Sequence, residues 1–245
     1  MGLNSAICIN SNQVYTRIHM YPVHGTYHPV KPLKKILDLN KRAWDNIAER
    51  YDDRSGALKE FSEVFNTFME KLPENGRVLD LGCGTGLPYA RHLVENGFDV
   101  LGVDLSEEMV KVASRNVPGA NFVQLSMSEI PYRDEFHGVI SSFSMLLLSL
   151  DLFKETASRV QSALVDGGYF YLSLNEPVGE SDDPESEVFV NIMGQDMYSR
   201  AYTVEEIEGV FQPLGFSLVK FNRDIEVSEE FGEEHVIEFI YQKKG

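Results

Sequence analysis

Three glycines at alternate positions follow directly after a short apolar segment of the chain. Residues 78–86 read VLDLGCGTG, which places Gly82, Gly84 and Gly86 at every second position. Glycine lets the backbone adopt positive φ angles and come close to a ligand. Between a strand and a helix, such a turn directs backbone N–H groups and the helix N-terminus at one spot, which suits a nucleotide-like ligand. A turn that only packs a helix on a strand needs fewer glycines, so we expect a ligand site here.

The spacing of the glycines distinguishes between the known nucleotide-binding motifs. The dinucleotide fingerprint G-x-G-x-x-G requires a glycine where this chain has Leu87, and the P-loop requires a Lys-Ser/Thr pair that does not follow. Asp80 lies two residues before the first glycine. A carboxylate is unfavourable beside a pyrophosphate but favourable beside an ammonium group. The pattern therefore disfavours a nicotinamide dehydrogenase and favours a ligand that carries a positive charge.

A second acidic residue follows at the end of the next predicted strand. Asp104 lies in the segment LGVDLS, eighteen residues after Gly86. A carboxylate at this place can accept hydrogen bonds from both hydroxyls of a ribose. The alternative, a helix N-cap, is better filled by Ser106, which directly precedes Glu107. Asp104 is therefore a second candidate ligand-binding acid, independent of the glycine turn.

At this point the sequence resembles the class I S-adenosylmethionine-dependent methyltransferases, whose first motif reads close to VLDLGCGTG. The resemblance extends through most of residues 40–245. It includes WDNIAERYD, EIPYRDEFHGVISSFSMLLL, ALVDGGYFYLSL and YTVEEIEGVFQPLGF. The chain is most similar to the broad small-molecule branch, the methyltransferase type 11/25-like domains. The resemblance implies S-adenosylmethionine as the cofactor, a Rossmann-like doubly wound sheet, and no metal.

The resemblance also implies which residues contact the cofactor. One position departs from the family: Ser126 stands where an acid usually contacts the adenine amine, which predicts a loss of about 1 kcal/mol of cofactor affinity, the order of one hydrogen bond. The neighbouring Met127 and Ser128 can still supply an apolar face and a hydrogen bond. The implied cofactor-binding residues are Asp80, Gly82, Cys83, Gly84, Gly86, Asp104, Leu105, Ser126, Met127, Ser128, Ser142, Phe143 and Tyr51.

The acceptor side of the reaction leaves a weaker trace in the sequence. Methyl transfer from a sulfonium is an in-line displacement that releases S-adenosylhomocysteine, so the protein mainly aligns the reacting atoms, and it needs a general base only if the acceptor must lose a proton. No catalytic residue is assigned. The segment YSRAY at 198–202 precedes a predicted helix, where it forms either a lid or ordinary aromatic packing. Catalytic candidates are Tyr51, Tyr198 and Tyr202, and further acceptor-side candidates are Phe143, Met145 and Arg200.

The favoured function is therefore methyl transfer to a small-molecule acceptor. Two alternatives remain open at this point. Ser126 and the acidic surface suit a non-catalytic module that binds S-adenosylmethionine or S-adenosylhomocysteine, as a sensor or partner subunit. A methyltransferase acting on protein or RNA is the other alternative.

The elements that position these residues follow from hydrophobic periodicity. Apolar residues at three- and four-residue steps predict two helices, at 36–51 and 58–72. Alternating strands and helices then predict parallel strands with helices on both faces. Strands are predicted at 77–81, 98–104, 121–125, 137–142 and 168–174, and helices at 87–96, 107–116 and 151–165.

The last part of the chain changes character. Thr203 and Glu206 form a predicted capping box that opens a helix ending at residue 214. Extended segments at 216–227 and 235–242 suit an antiparallel pair, so we expect a seven-stranded, mostly parallel sheet with a reversed last strand. The connection from 175 to 200 is long enough to be a binding loop, with a short helix predicted at 188–193.

The N-terminal residues differ in character from the rest of the chain. We expect one methyltransferase domain at 33–245, with a helical N-terminal cap at 33–73, after an irregular arm or leader at 1–32. The arm contains His19, His24 and His28 but no acids, so no metal site is predicted there.

Charge and cysteine content narrow the setting further. The net charge of −16 makes nucleic acid an unfavourable partner, because an acidic surface repels phosphates. No apolar run reaches the roughly 18 residues that a membrane span requires. Two cysteines, Cys8 and Cys83, do not form a disulfide framework, which favours a cytoplasmic location. The oligomeric state does not follow from the sequence.

Overall fold

A computed structural model describes residues 33–55, 61–177, 188–228 and 232–245. The predicted arm at 1–32, with its three histidines, lies outside the described residues. Across the described part of the chain, no helix combines the length and the apolar character needed to cross a bilayer. The helices are α1 Leu33–Ser55, α2 Glu63–Lys71, α3 Tyr89–Glu95, α4 Glu107–Asn116, α5 Leu150–Ala163 and α6 Val204–Phe211. The strands are β1 Arg77–Leu81, β2 Asp99–Asp104, β3 Asn121–Gln124, β4 Phe136–Ser142, β5 Leu164–Glu176, β6 Val188–Ile192, β7 Gln195–Ser199, β8 Phe216–Ser228 and β9 Gly232–Lys243.

The main sheet has seven strands in the order β3-β2-β1-β4-β5-β9-β8. The first five are mutually parallel, and β9 is antiparallel to both of its neighbours. The prediction of a Rossmann-like, doubly wound sheet with a reversed last strand is confirmed. The reversed strand is last in the chain but not at the edge, since β9 lies between β5 and β8.

Helices pack on both faces of this sheet and enclose two apolar cores. One core joins the strands to α5 and α6, where Phe153, Phe170 and Phe211 are fully buried. The other core joins them to α2 and α3, where Phe65 and Phe68 are fully buried. Strands covered on both faces read as continuous apolar runs, which is why their positions were predictable to within a few residues.

The prediction of a short helix at 188–193 was wrong. Residues 188–192 form β6, which pairs with β7 in a separate two-stranded antiparallel sheet. Met193 and Gly194 form the turn, with φ angles of 52° and 85°. Two consecutive positive φ angles match the right-handed twist of the flanking strands. Phe189, Val190 and Ile192 are of residue types that favour extended structure, and they lie in this hairpin instead of on a helix face.

The capping box of α6 is confirmed. The Thr203 side chain accepts a hydrogen bond from the Glu206 backbone N–H, and the Glu206 carboxylate accepts one from the Thr203 N–H. The helix ends earlier than predicted, at Phe211.

The parallel strands bring the chain after β1, the end of β2 and the end of β4 to one edge of the sheet, which is where open α/β sheets bind ligands.

Candidate functional site

The three glycines after β1 serve three different purposes. All have positive φ angles, of 68° at Gly82, 52° at Gly84 and 77° at Gly86. A Cβ on Gly82 would lie 2.4 Å from the Cβ of Ser144, so this glycine allows the chain after β4 to approach. A Cβ on Gly86 would lie 3.0 Å from Val117, so this glycine allows close packing. A Cβ on Gly84 would meet nothing within 4 Å, because this backbone faces open space.

Strand β2 holds the glycine turn in place. The backbone N–H groups of Gly82 and Cys83 both donate to the carbonyl of Val103, at 2.8 and 3.0 Å. The Gly84 N–H donates to Asp104 Oδ2 at 3.0 Å, and the Ser106 N–H donates to Asp104 Oδ1 at 2.8 Å. Asp104 therefore organises the turn, and its carboxylate can still accept a hydrogen bond from a further donor.

Asp80 lies close to this turn but takes no part in its hydrogen bonding. Its side chain is 4% exposed, and among the described residues none donates a hydrogen bond to it. Burial, followed by the charge of Asp104, raises the pKa of Asp80 to about 7. Burial also raises the pKa of Asp104 to about 6, although the N–H groups of Ser106 and Gly84 oppose that shift. Two carboxyl groups with weakened acidity thus face one space.

That space is a cavity of about 710 Å³ at the carboxyl edge of the sheet. Helix α1 forms one wall through residues that include Asn40 and Trp44, and the residues just before α2 form another. The far end is formed by β8 and β9. Five carboxylates are among the described lining residues, whereas none of those residues is Lys, Arg or His. The five acids are Glu63, Asp80, Asp104, Asp224 and Glu238.

The sequence model of the family described as "Methyltransferase domain" matches residues 78–168, from β1 into β5. The chain is 28% identical over 214 residues to the putative methyltransferase YqeM of Bacillus subtilis, covering 70% of this chain and 86% of that protein. A crystal structure of the Burkholderia thailandensis 1,6-didemethyltoxoflavin-N1-methyltransferase, with bound 1,6-didemethyltoxoflavin and S-adenosylhomocysteine, has the same fold. The TM-score is 0.71 at 18% identity, over 94% of this chain and 100% of that one.

The chain is a class I S-adenosylmethionine-dependent methyltransferase. A further relative is the dTDP-3-amino-3,4,6-trideoxy-alpha-D-glucopyranose N,N-dimethyltransferase of Streptomyces venezuelae. It is 32% identical over 85 residues, which are 35% of each protein. The cavity of the methyltransferase fits its cofactor, since S-adenosylmethionine carries a sulfonium and an ammonium group. Asp80 is a buried acid with no described donor, and Gly84 leaves room above its backbone.

Most of the residues that the sequence assigned to the cofactor lie on this cavity. Gly86 and Ser128 do not. Gly86 packs against Val117, and the buried Ser128 hydroxyl is 2.9 Å from that of Ser126. The predicted residues that line the cavity are Asp80, Gly82, Cys83, Gly84, Asp104, Leu105, Ser126, Met127, Ser142, Phe143 and Tyr51.

Of the two alternatives for segment 198–202, a lid or aromatic packing, the structure favours packing. Tyr198 and Tyr202 are in the core and are absent from the described cavity wall. The Tyr202 hydroxyl donates to the carbonyl of Leu148 at 2.7 Å, and its ring stacks on Phe153. Arg200 is also buried and pairs with Glu206 at 2.7 Å. The segment therefore packs the hairpin and α6 onto the core, and the same aromatic pattern suits both roles.

Of the other acceptor-side candidates, Met145 does not line the cavity, whereas Tyr51 does. Met145 is fully buried in the core, away from the described cavity wall. Tyr51 lines the cavity, with its ring edge-on to Trp44 at a centroid distance of 5.2 Å. Among the tyrosines proposed from the sequence, Tyr51 is thus the one that borders the space a ligand can occupy.

Sequence reasoning missed the far end of the cavity. Glu238 lies in β9, where it accepts hydrogen bonds from the Tyr171 hydroxyl at 2.7 Å and from the Ser62 hydroxyl at 2.5 Å. The available signal was a single acid inside the apolar run VIEFIY, the same signal that drew attention to Asp80.

Helix α1 closes the cavity through polar contacts with distant parts of the chain. The Asp45 carboxylate accepts a hydrogen bond from the Ser106 hydroxyl at 2.7 Å, and Ser106 also caps α4 by accepting from the Met109 N–H. The Asn40 amide donates to the carbonyls of Leu147 and Tyr198. The helix that covers the site is thus tied to the element that follows Asp104.

Proposed function

We propose that the methyltransferase transfers the methyl group of S-adenosylmethionine to a small-molecule acceptor that binds in the same cavity. The main support is that the cavity continues beyond the residues assigned to the cofactor, to β8, β9 and the residues before α2. Its volume of about 710 Å³ is typical of sites that enclose small molecules. The Streptomyces venezuelae relative is named for a sugar-nucleotide acceptor, which is a small molecule.

The residues at the glycine turn hold the cofactor in this proposal. Asp104 accepts hydrogen bonds from the ribose hydroxyls. Asp80 faces the ammonium group, and Leu105 with Met127 contacts the adenine. Ser126 and Ser128 replace the usual acid at the adenine amine, with Ser128 acting through Ser126. We also propose that residues 33–245 form one domain, with 33–73 as its cap.

When bound, S-adenosylmethionine supplies an already activated methyl group. The chain therefore has to position the acceptor and exclude water, and alignment alone accounts for much of such a rate enhancement. Helix α1 and the glycine turn both line the cavity in which this takes place. Tyr51 is the remaining tyrosine candidate for contact with the acceptor.

A labelling experiment tests this function. The purified protein is incubated with methyl-labelled cofactor and cell extract, which is then separated into small molecules, protein and nucleic acid. We expect label in the small-molecule fraction only. Label in protein or RNA would contradict the proposed acceptor class. Calorimetry with S-adenosylmethionine and S-adenosylhomocysteine is run alongside, and a failure to bind either would contradict the cofactor site itself.

A further inference from the structure

The end of the cavity formed by β8, β9 and the residues before α2 has its own buried carboxylate. Glu238 is 7% exposed and stands opposite Ser173 of β5 and Asn222 of β8 in the sheet register. The Ser173 hydroxyl donates to that of Ser142 at the end of β4. Adjacent strands are about 4.8 Å apart, so Glu238 lies about 10 Å across the sheet from Ser142. It is within the same cavity but away from the glycine turn.

The hydrogen bonds of Glu238 leave one of its oxygens available. The hydroxyls of Tyr171 and Ser62 both donate to Oε1, and no group in the described part of the chain donates to Oε2. The Tyr89 hydroxyl interacts with those of Tyr171 and Ser142, so polar side chains extend from Glu238 to the end of β4. This network holds the Glu238 carboxylate on the cavity wall in one orientation.

The nearby positive charges have other partners. Lys220 donates to Glu63 at 2.6 Å and to Thr67 at 2.9 Å, and Arg223 pairs with Glu176 at 2.7 Å. A buried carboxylate without a cation carries a large desolvation cost. Among the described lining residues, Glu63 is neutralised by Lys220, whereas Glu238 and Asp224 have no basic partner.

The surroundings of Glu238 suit a cation with an apolar body. Phe61, Tyr89 and Tyr171 line this end of the cavity, and the rings of Phe61 and Tyr89 meet edge to face at 5.4 Å. Aromatic faces attract ammonium groups as well as apolar carbon. An anionic acceptor would instead face five carboxylates and, among the described lining residues, no basic side chain.

We propose that the acceptor is a small molecule with a protonated amino group, and that Glu238 binds this group through Oε2. The inference rests on the proposed function, because it assigns a substrate class to the same cavity. Asp224 lies on the neighbouring strand, one pair of residues further along the same face, and adds a second negative charge. Glu238 then determines which acceptors bind, while the glycine turn binds the cofactor.

The test uses defined probes on the full chain saturated with S-adenosylhomocysteine. Phenethylamine and tyramine are compared with the matched alcohols and carboxylic acids by calorimetry. Fluorescence of Trp44, the single tryptophan of the chain and a cavity residue, gives a second readout. We expect each amine to bind at least tenfold more tightly than its alcohol, and the acids to show no binding. Equal affinities within a matched series would overturn the proposal.

Variants then assign the effect to Glu238. Glu238→Gln should weaken amine binding at least tenfold and leave the dissociation constant of S-adenosylhomocysteine within twofold. Asp224→Asn, an exposed position with little risk to folding, should weaken amine binding about threefold. Glu233→Gln, an exposed acid on the same strand, is the matched control and should change neither constant. Unchanged amine binding in Glu238→Gln contradicts the assignment, and if that variant does not fold, the Asp224→Asn result decides.

The outcomes for the substrate class and for the proposed function are distinguishable. If S-adenosylmethionine binds and label enters only neutral or acidic small molecules, the amine inference fails while the proposed function stands. If label enters only protein or RNA, the proposed function fails with it. Label in an amine-bearing small molecule supports both.

Discussion

Asp80 and Asp104 are in an unfavourable electrostatic state before the cofactor binds. Burial raises their pKa values to about 7 and about 6, from an ordinary value of 3.8, and the two charges repel each other. A cation in the cavity reverses this effect, because it stabilises the ionised forms. The binding of S-adenosylmethionine and the ionisation of these two residues are therefore coupled.

This coupling predicts the pH dependence of cofactor binding. The affinity for S-adenosylmethionine should rise between pH 5.5 and pH 8, because a neutral Asp80 cannot attract the ligand and binding at low pH must release protons. Calorimetry in two buffers with different ionisation enthalpies measures both the affinity and the number of protons released. Asp80→Asn should flatten the profile between pH 6 and 7 and bind more weakly at pH 8. Equal affinity of the wild type at pH 5.5 and 8 would show that Asp80 does not face the cation.

The same residue predicts an opposite effect on the stability of the unliganded protein. The folded-state pKa of Asp80 lies above its unfolded value, so the folded state binds the extra proton between pH 4 and 7. The stabilisation is complete below pH 4 and is lost as the pH rises through 7. At pH 8, Asp80→Asn should therefore be more stable than the wild type by about 1 kcal/mol or more. Urea unfolding at pH 5 and 8 measures this, and a variant less stable at pH 8 would contradict it.

The glycines of the turn predict two different mutant behaviours. Gly84→Ala meets no atom within 4 Å, so it should cost only about 1 kcal/mol of folding free energy for its positive φ. Its methyl group projects into open space at the site and should weaken cofactor binding at least tenfold. Gly82→Ala collides with Ser144 and should cost about 3 kcal/mol or more. Thermal unfolding and calorimetry separate the two, and similar losses of stability would contradict the assignment.

At the scale of elements, the β6–β7 hairpin packs against α1, the helix that lines the cavity. Asn40 is 3% exposed, accepts a hydrogen bond from the Tyr198 N–H at 2.8 Å and donates to the Tyr198 carbonyl at 3.1 Å. It also donates to the carbonyl of Leu147, which follows β4. Asn46 adds a more exposed contact to Gln195 in β7. One amide side chain thus joins three segments that are far apart in sequence.

Removing the Asn40 amide should loosen the packing of the β6–β7 hairpin against α1. Asn40→Ala removes one hydrogen-bond partner from each of three backbone groups, namely the N–H and the carbonyl of Tyr198 and the carbonyl of Leu147. We therefore expect a loss of about 2 kcal/mol of folding free energy. Hydrogen exchange in β7 should accelerate, and that effect distinguishes a loosened hairpin from a general loss of stability. Asn46→Ala removes the exposed contact and serves as the control, with a loss below about 0.5 kcal/mol. Unchanged exchange in β7 in the Asn40 variant would contradict the role of this contact.

The same scale explains what the sequence could and could not predict. The strands and helices around the glycine turn were predictable because doubly covered strands are continuous apolar runs and because VLDLGCGTG is a local motif. The hairpin was missed because its turn uses Met193 in a positive φ conformation, where Asn, Asp or Gly is usual. The Glu238 end of the cavity depends on Ser62, Tyr171 and Glu238, which only the folded sheet brings together. No local pattern encodes that contact.

At the scale of the whole molecule, the charge of the protein and the charge of the cavity have the same sign. The net charge is −16, and five acids are among the described residues that line the cavity. Such a field raises the local concentration of cations and favours their binding. S-adenosylmethionine carries one net positive charge at neutral pH, whereas S-adenosylhomocysteine is net neutral, so the field favours the substrate cofactor over the product.

This difference predicts how salt changes the selectivity between the two forms of the cofactor. Raising NaCl from 20 mM to 500 mM shortens the screening length from about 20 Å to about 4 Å, which removes the contribution of distant charges. The dissociation constant of S-adenosylmethionine should rise several-fold, while that of S-adenosylhomocysteine changes by less than about twofold. Asp80→Asn should reduce the salt effect only in part, because the remaining acids still contribute. Parallel salt dependence of the two ligands would mean that hydrogen bonding and packing alone determine cofactor affinity.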